Sequence, residues 1–527
     1  MIINKQYIMT LANTLLFLFL VFSCSDESFN DKPIIDYGDN DNINIVPLPQ
    51  FVSYRDGVSE FNATLSVRYS KEFEQEFENF KDIMLADHNI KLTKTDIEAD
   101  INFEKVDVLL GKHSDEYTIE VSANKITVKA KNTKGVFYSM QTIRQLFNES
   151  SGGFKVHNLL ISDYPSNEWR GVMLDEARYF KGKNSVKKIL YEMSRLKMNK
   201  FHWHLTDDQG WRIEIKKYPK LIEVGSKRDS TQINSGPDWS WVHNEWDGIP
   251  HEGHYSQAEI KEIINYAANL HIEIIPEIEI LTHSQAAIAS YPWLGTTGKQ
   301  VEVAFNLGVM HEVLNIGDNR VIEFVHDVLE EVSVLFPSEY IHVGGDELMG
   351  PNWQQSKDIQ SLKADLGLST DPELQLWYFN QISHFLHSKG KKMIAWSDFI
   401  GKHNVHSKQE VDLAEGTIAQ FWQGDINDLN HCLRNGLEVI QSHTDFSYFN
   451  AWMPDAYQTD IIPEGVIPNF KNQIVGFEAC CWSEFDPTVE STEDHIFPRI
   501  AAYAESAWLS PDKKDYKNFL SRLNPLY

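Results

Sequence analysis

The stretch Tyr340-Ile-His-Val-Gly-Gly-Asp-Glu347 decides the fold of this chain. Four mostly apolar residues read as a short buried strand, and two glycines and two adjacent acids follow at once. Seven other strand-like runs alternate with longer amphipathic segments: Gly171–Leu174, Lys200–Leu205, Ile272–Ile275, Lys392–Trp396, Ile418–Trp422, Leu437–Ile440 and Gly476–Cys480. This repetition indicates a chain of alternating strands and helices.

The segments between these runs have the apolar spacing of helices. The clearest examples are Val186–Leu196, Gln257–Leu270, Asn319–Leu335 and Leu374–His387. Eight strand–helix units within residues 163–527 fit a (β/α)8 TIM barrel with insertions. A doubly wound open sheet is the alternative, but no glycine-rich phosphate turn follows the first strand. The sequence therefore predicts an α/β barrel domain.

Residues 45–162 have a different pattern, in which strand-like runs follow one another at short intervals. Tyr117–Val121 and Ile126–Ala130 read as paired strands, and Val136–Phe147 reads as a helix. No cluster of titratable residues stands out here. We therefore predict a small α+β domain that precedes the barrel and supports it.

The first residues of the chain resemble an export signal. Leu15 to Phe22 form an apolar run that is short for a membrane span, and it ends at Ser23-Cys24. This arrangement resembles a bacterial lipoprotein signal, in which residues 1–23 are removed and Cys24 carries the lipid. An ordinary secretory signal is the alternative. Residues 24–44 then form a flexible tether, and we expect an exported protein, lipid-anchored in the cell envelope, either periplasmic or on the outer-membrane surface.

The net charge of −28, from 48 basic and 76 acidic residues, argues against a nucleic-acid partner. A solvated acidic surface explains this charge more simply. Besides Cys24 the chain has only Cys432, Cys480 and Cys481, so no disulfide framework is indicated. We expect no cofactor and no metal, contact with a membrane only through Cys24, and we leave the oligomeric state open.

Residues just past the strand ends are where a barrel carries its functional groups. The sequence places acids, one arginine and aromatic rings there: Asp175, Arg178, Asp207, Asp208, Glu277, His283, Asp346, Glu347, Trp396, Asp398, Trp422, Tyr448, Trp482 and Glu484. Aromatic faces stack on the apolar faces of a pyranose, while carboxylates and arginine bind hydroxyl groups. Without a persuasive nucleophilic serine or cysteine, this set indicates a sugar site, where cleavage commonly uses two carboxyl groups.

Asp346 and Glu347 are the sharpest candidates in this set. Neighbouring side chains on a regular strand point to opposite faces, so the strand has to end or bulge here if both acids serve one site. Gly344 and Gly345 let a ligand approach the backbone closely. An adjacent Asp-Glu pair is more often a solvated surface feature, and its place at a strand end argues against that interpretation.

Several longer motifs resemble the signature segments of glycoside hydrolase family 20, the β-N-acetylhexosaminidases. In the barrel these are Trp169-Arg-Gly-Val-Met-Leu-Asp-Glu-Ala-Arg178, Phe201-His-Trp-His-Leu-Thr-Asp-Asp208, His342-Val-Gly-Gly-Asp-Glu347 and Phe497-Pro-Arg-Ile-Ala-Ala-Tyr-Ala-Glu-Ser-Ala-Trp508. Val46-Pro-Leu-Pro-Gln50 and Gln141-Thr-Ile-Arg-Gln-Leu146 resemble that family's N-terminal domain. The resemblance implies a retaining exo-enzyme that cleaves terminal β-linked GlcNAc or GalNAc from glycans.

The resemblance also implies substrate-assisted catalysis, in which the 2-acetamido oxygen attacks the anomeric carbon and forms an oxazolinium intermediate. Glu347 would be the general acid and then the base. Asp346 would orient the acetamido group and stabilise its developing charge. These two residues would carry the catalysis.

The same resemblance implies roles for the residues around the pair. Arg178 would bind O3 and O4, Tyr448 the acetamido oxygen, and Glu484 O4 and O6. Asn450 would lie near O4 and O6 as well. The acetamide pocket would be walled by Trp396, Trp422 and Trp482, with Asp208 and His283 behind the acid.

Four positions depart from the family pattern. Glu279 stands where Asp is usual, Tyr179 where His commonly follows the arginine, and Asn450 where Asp is frequent. Thr282 stands where Gly is usual and has less backbone freedom, which puts the placement of His283 in question. Asn450 bears on the choice between gluco and galacto sugars.

Two other functions stay open from the sequence. His202 and His204 share one face of a strand, a spacing used for metal ligands, and Asp208, His283 and His342 could complete a metal-dependent hydrolase site. The second alternative is a carbohydrate-binding protein without catalysis, against which the intact acid pair argues.

Overall fold

The structure is a computed structural model that describes residues 43–150, 153–233, 245–348, 351–400, 409–450, 453–458 and 461–523. The predicted export signal, Cys24 and the tether up to residue 42 lie outside the described residues. Among the helices of the described part, none is both long enough and apolar enough to cross a bilayer.

The N-terminal part is a mixed sheet with two helices. Along the sheet the strands are Phe51–Phe61, Gly153–Asp163, Tyr117–Ser122, Lys125–Ala130, Ile101–Lys105, Thr64–Tyr69 and Lys91–Lys94, and Asn148–Ser150 pairs with the second of these. In Tyr117–Ser122 buried residues alternate with partly exposed ones, because only one face of the sheet packs on the core. Helices Glu74–His88 and Thr133–Leu146 contact the sheet and each other. The predicted α+β domain is confirmed.

Eight parallel strands form the second part of the protein. In chain order they are β1 (Trp169–Asp175), β2 (Lys200–His204), β3 (Glu273–Glu277), β4 (Tyr340–His342), β5 (Lys392–Trp396), β6 (Ile418–Phe421), β7 (Glu438–Gln441) and β8 (Ile474–Cys481). Each pairs with the next, and β8 pairs with β1, which closes the barrel. The predicted (β/α)8 fold is confirmed.

Helices follow most of these strands. The main ones are Lys183–Arg195, Gln257–Asn269, Asn319–Leu335, Asp371–Ser388, Ile426–Arg434, Val489–Ile496, Arg499–Trp508 and Tyr516–Leu523. Shorter ones are Lys220–Glu223, Gln285–Ser290, Asn352–Gln355, Lys357–Leu366, Thr444–Ser447 and Met453–Gln458. Between β5 and β6 the described residues contain no α-helix. Capping boxes at Ser256 and Thr370 start two of the predicted helices, because each hydroxyl accepts the N–H of a glutamate three residues on.

A buried ion pair joins the two domains. Asp163, the last residue of the N-terminal sheet, lies 3.0 Å from the Nζ of Lys197, and both side chains are fully buried. Lys197 also donates to the hydroxyl of Tyr117 at 2.8 Å, and the indole N–H of Trp508 donates to Asp163 at 2.9 Å. Residues of both domains therefore share one buried network.

Candidate active site

The acid pair lies where the chain leaves the regular strand β4. This strand ends at His342, and both Gly344 (φ 65°) and Glu347 (φ 54°) have left-handed backbone. A Cβ at Gly344 would lie 1.9 Å from the Oε2 of Glu279, so a side chain at this position would displace the Glu279 carboxyl group, and the left-handed backbone also favours glycine. Because the strand ends before the pair, Asp346 and Glu347 line one cavity instead of pointing to opposite faces.

A cavity of about 490 Å³ opens over the pair at the carboxyl ends of the barrel strands. Nine of the residues expected at the site line it: Arg178, His283, Asp346, Glu347, Trp422, Tyr448, Asn450, Trp482 and Glu484. Four further residues line the cavity without having been singled out by the sequence: Phe449, Cys480, Phe485 and His495. Side chains from β1, β3, β4, β6, β7 and β8 or their loops thus converge on one space.

Trp396 lies behind the cavity instead of in its wall. Its side chain is buried, and its indole N–H donates to the Oε1 of Glu277 at 2.8 Å. Its ring packs against Trp482 with the ring centroids 5.8 Å apart. Trp396 therefore supports the wall that Trp422 and Trp482 present to the cavity.

His283 connects a buried acid to Glu347. Its Nδ1 lies 3.2 Å from the Oδ2 of Asp208, and its Nε2 lies 3.4 Å from the Oε2 of Glu347. Burial lowers the pKa of His283, but Asp207 and Asp346 outweigh burial and raise the pKa well above its usual value. The imidazole is therefore a cation held between carboxylates, and Asp208 is behind the acid, out of the cavity wall.

Three of the four residues that depart from the family pattern fit into the site without moving the acid pair. Thr282 is buried, and the next residue has a left-handed backbone (φ 46°) that brings His283 to the cavity. Tyr179 is buried with its ring centroid 4.9 Å from the guanidinium carbon of Arg228. Asn450 is exposed at the cavity wall. None of these changes displaces the acid pair.

Asp346 is more deeply buried than its neighbour. Its side chain is 12% exposed against 31% for Glu347, and its Oδ1 has no hydrogen-bond partner among the described residues. Burial raises the pKa of Asp346 to about 8; Glu347 and Asp398 add to this rise, and His283 opposes it. An oxygen of Asp346 lies within 4.8 Å of one of Glu347, so the charge of Glu347 acts directly on Asp346.

Arg178 is fixed in one orientation by its neighbours. Its Nη2 lies 2.9 Å from Asp207, its Nη1 lies 3.5 Å from Asp175, and its Nε–H donates to the side-chain oxygen of Gln209 at 3.1 Å. Its guanidinium carbon lies 5.0 Å from the ring centroid of Trp482. A planar donor held in this way presents its free N–H groups to a ligand with a defined geometry.

Asp398 and Tyr503 hold the site together, although the sequence assigns them no role. One carboxylate oxygen of Asp398 accepts the backbone N–H of Glu347 at 3.2 Å, and the other accepts the indole N–H of Trp422 at 2.6 Å. The hydroxyl of Tyr503 donates to the backbone carbonyl of Tyr448 at 2.8 Å. The position of Asp398 just past β5 was a usable signal, whereas nothing in the pattern around Tyr503 points to this contact.

A buried cluster of histidines and carboxylates lies below the cavity. His202 lies 3.0 Å from Glu277 and 2.7 Å from Glu478, and His204 lies between Glu277 and Asp207. Burial lowers the pKa of His202, but the two glutamates raise it to about 9. Carboxylates thus account for both histidines as buried cations.

The side chains that a metal-dependent hydrolase could use fall into three groups. Within the described residues, His202 and His342 lie with Glu277, His204 lies with Glu277 and Glu279, and Asp208 and His283 lie with Asp207. The five residues of that alternative therefore do not converge on one point.

The fold and the cavity together define a class of protein. A closed parallel barrel whose strand ends carry a carboxylate pair, a fixed arginine and indole rings around one cavity is typical of carbohydrate-active barrels. The chain belongs to glycosyl hydrolase family 20. The model of that family's catalytic domain matches residues 167–511, and the model of its domain 2 matches residues 42–164.

Two proteins with similar sequences are both named beta-hexosaminidase. A beta-hexosaminidase of Porphyromonas gingivalis is 30% identical over 515 residues, which are 92% of this chain and 62% of that protein. A beta-hexosaminidase of Vibrio furnissii is 31% identical over 74% of this chain and 64% of that protein. The chain therefore spans less than two thirds of the length of these two relatives.

Solved structures give the same result for the fold. A chitobiase of Flavobacterium johnsoniae superposes with a TM-score of 0.79 at 30% identity, over 92% of this chain and 72% of that chain. An N-acetyl-beta-hexosaminidase of Streptomyces plicatus, in complex with Thio-NAglucal, has a TM-score of 0.76 at 26% identity, over 91% of this chain and 93% of that chain. The likeness thus extends over both domains.

Proposed function

We propose that this protein is a retaining exo-β-N-acetylhexosaminidase that removes terminal β-linked GlcNAc or GalNAc from glycans by substrate-assisted catalysis. The observation that carries the proposal is that Asp346 and Glu347 share one cavity with Arg178 and Tyr448. Family membership supports it, as do the names of the relatives and a Streptomyces plicatus structure in complex with the product GlcNAc.

The place of the two acids favours a nucleophile that belongs to the substrate. Two carboxyl groups that divide the acid and nucleophile roles flank the glycosidic bond, about 5–5.5 Å apart in retaining enzymes. Asp346 and Glu347 are adjacent residues on one loop and line the same cavity, so we expect them to approach a bound sugar from the same side. The 2-acetamido oxygen would therefore attack the anomeric carbon, and water would open the resulting oxazolinium ring. Two inversions give net retention.

Glu347 fits the role of general acid and base. It is the more exposed acid of the pair, and its Oε2 lies 3.4 Å from the Nε2 of His283, which can stabilise it as an anion once the proton has been given up. It would give its proton to the glycosidic oxygen as the bond breaks, and then take a proton from the attacking water. A partly exposed position suits this exchange because the leaving group and the water both pass there.

Asp346 and Tyr448 fit the role of holding the acetamido group. The buried, unpartnered Oδ1 of Asp346 is an acceptor for the acetamide N–H, and it would stabilise the positive charge that develops there. The Tyr448 hydroxyl would donate to the acetamide oxygen. Trp422 and Trp482 would close the apolar sides of this pocket, with Trp396 behind them.

Arg178, Glu484 and Asn450 fit the recognition of the sugar hydroxyls. Arg178 would bind O3 and O4 through the N–H groups that Asp207 and Gln209 leave free. Glu484 would bind O4 and O6. Asn450 would contact the same end of the sugar as a neutral group, which favours tolerance toward both GlcNAc and GalNAc.

We also propose that the protein is exported and anchored through a lipid on Cys24. The apolar run that ends at Ser23-Cys24 supports this proposal, and the polar residues that follow would act as a tether to the membrane. The glycan partner would then be met in the cell envelope or outside it.

Turnover of a panel of aryl β-glycosides tests the proposed function. The wild type should hydrolyse the GlcNAc and GalNAc derivatives and leave the glucoside intact, because glucose has no acetamide to attack. Glu347→Gln should lose about 10²–10⁴-fold in kcat and still bind GlcNAc. Glu323→Gln, which changes an exposed glutamate on the helix Asn319–Leu335, is the matched control.

Equal hydrolysis of the glucoside would contradict substrate assistance. Binding of GlcNAc without turnover by the wild type would indicate a carbohydrate-binding protein.

A further inference from the structure

Glu279 lies directly beneath the turn that carries the acid pair. It follows the end of β3 by two residues, and only 3% of it is exposed. Its Oε2 accepts the backbone N–H of Gly345 at 3.3 Å and occupies the space where a Cβ of Gly344 would lie. Its own backbone N–H donates to the hydroxyl of Thr206 at 2.8 Å. Glu279 therefore supports the turn from below.

The carboxyl group of Glu279 lies among buried carboxylates as well as buried histidines. Oε1 of Glu279 is buried and has no hydrogen-bond partner among the described residues. One carboxyl oxygen of Glu279 lies within 4.8 Å of an oxygen of Glu277. Glu277 is an anion, because His204, His342 and His202 lower its pKa well below the usual range although burial opposes them. Repulsion from the Glu277 carboxylate favours the protonated form of Glu279.

We propose that Glu279 is a positioning residue that supports the Gly344–Gly345 turn as a neutral carboxylic acid, and so fixes the place and the charge of Asp346. The proposal rests on the proposed function, since it concerns how the acid pair of that function is held. Burial raises the pKa of Glu279 well above its usual value; Asp346 and Glu277 add to this, and His283 and His204 oppose it. Burial and the two neighbouring carboxylates thus hold the proton of Glu279 against the two histidines.

The neutral state of Glu279 has a consequence for Asp346. Asp346 already faces repulsion from Glu347, Asp398 and Glu277. A further anion beneath the turn would make the ionised form of Asp346 harder still to reach. With Glu279 neutral, Asp346 can become the anion that accepts the acetamide N–H. The glutamate, where Asp is usual in the family, reaches further under the turn by one methylene.

Infrared difference spectra between the wild type and Glu279→Gln test the protonation state without any turnover. At about pH 9 most of Asp346 is ionised, since its pKa is about 8. The wild type should then keep a carboxylic-acid C=O band that the Glu279→Gln variant lacks. The exposed Glu323→Gln variant should lose carboxylate absorbance only. If Glu279→Gln loses carboxylate absorbance instead, Glu279 is ionised and the proposal is wrong.

Rates on an aryl GlcNAc substrate test the positioning role. Glu279→Gln keeps both shape and neutrality, so kcat/KM should stay within about threefold of the wild type with an unchanged pH profile. Glu279→Ala leaves a void under the turn and should lose about tenfold or more in kcat/KM. Glu279→Asp should lie between these two variants. Thermal melts check that each variant is folded.

Two kinetic outcomes would overturn the proposal. Full activity of a folded Glu279→Ala variant would remove the positioning role. A folded Glu279→Gln variant as slow as Glu279→Ala would mean that an ionised carboxylate is needed. An inactive wild type would refute the proposed function instead, and the infrared spectra would still decide the state of Glu279.

Discussion

At the residue scale, Asp346 sets the pH dependence of the site. Burial and the neighbouring carboxylates raise its pKa to about 8, so Asp346 holds a proton below that pH and loses it above. The proposed mechanism needs this proton on the pair, because the leaving oxygen has to be protonated. It also needs one negative charge on the pair, for the acetamide.

We therefore expect kcat/KM of the wild type to fall above about pH 8. Asp346→Asn removes the group whose pKa is about 8, so the alkaline limb should move away from that pH. The rate at the optimum should also fall, by about 10²-fold, because an amide cannot stabilise the acetamide charge as an anion does. Profiles of kcat/KM against pH for both proteins check this. An alkaline limb that stays near pH 8 in Asp346→Asn would mean that Asp346 does not cause it.

Most residues of the cavity could be predicted from the sequence, because each follows a recognisable strand end or lies in a family motif. The sequence could not show which side chains line the cavity and which lie buried behind its wall. Trp396 and Trp422 look alike in sequence, but only the structure places Trp396 behind the wall, bound to Glu277. Contacts such as Asp398 to the backbone of Glu347 join residues 51 apart, which no local pattern reveals.

At the scale of elements, strands and helices could be predicted well where their pattern is local. Asn319–Leu335 agrees at both ends, because Asp318 caps its first turn and its apolar face is continuous. For β4, the sequence showed only that the strand has to end before Asp346 if Asp346 and Glu347 are to serve one site. The packing around the two glycines that follow is tertiary, because Glu279 and Phe379 occupy the space where Cβ atoms of Gly344 and Gly345 would lie.

The junction between the domains gives a stability prediction. Lys197→Met leaves Asp163 buried without its cation, and the free energy of unfolding should fall by about 3–5 kcal/mol. Adding Asp163→Asn should restore part of the loss, because no buried charge then remains. Urea unfolding followed by tryptophan fluorescence measures both.

Lys200→Met is the control for this experiment. The pair of Lys200 with Glu273 is partly exposed, with 15% and 32% of the side chains accessible. Lys200→Met should change the free energy of unfolding by about 1 kcal/mol or less. Equal effects of Lys197→Met and Lys200→Met would contradict the buried network.

At the scale of the whole molecule, the proposed lipid anchor decides where the enzyme works. Cys24→Ala should release the protein from the membrane fraction of its host into the soluble fraction, because no lipid can then be attached. Cys432→Ala, which changes a buried cysteine of the barrel, should leave the distribution unchanged. A Cys24→Ala protein that stays with the membrane would remove the anchor.

The central claim is that the acid pair serves a nucleophile that the substrate brings with it. A thiazoline analogue of the oxazolinium intermediate tests it most directly, since a site complementary to that intermediate binds its mimic far more tightly than the substrate. We expect an inhibition constant about 10²-fold or more below KM for the wild type, and much weaker inhibition of Asp346→Asn. Weak inhibition of the wild type, together with a covalent glycosyl-enzyme detected by mass spectrometry, would contradict the account.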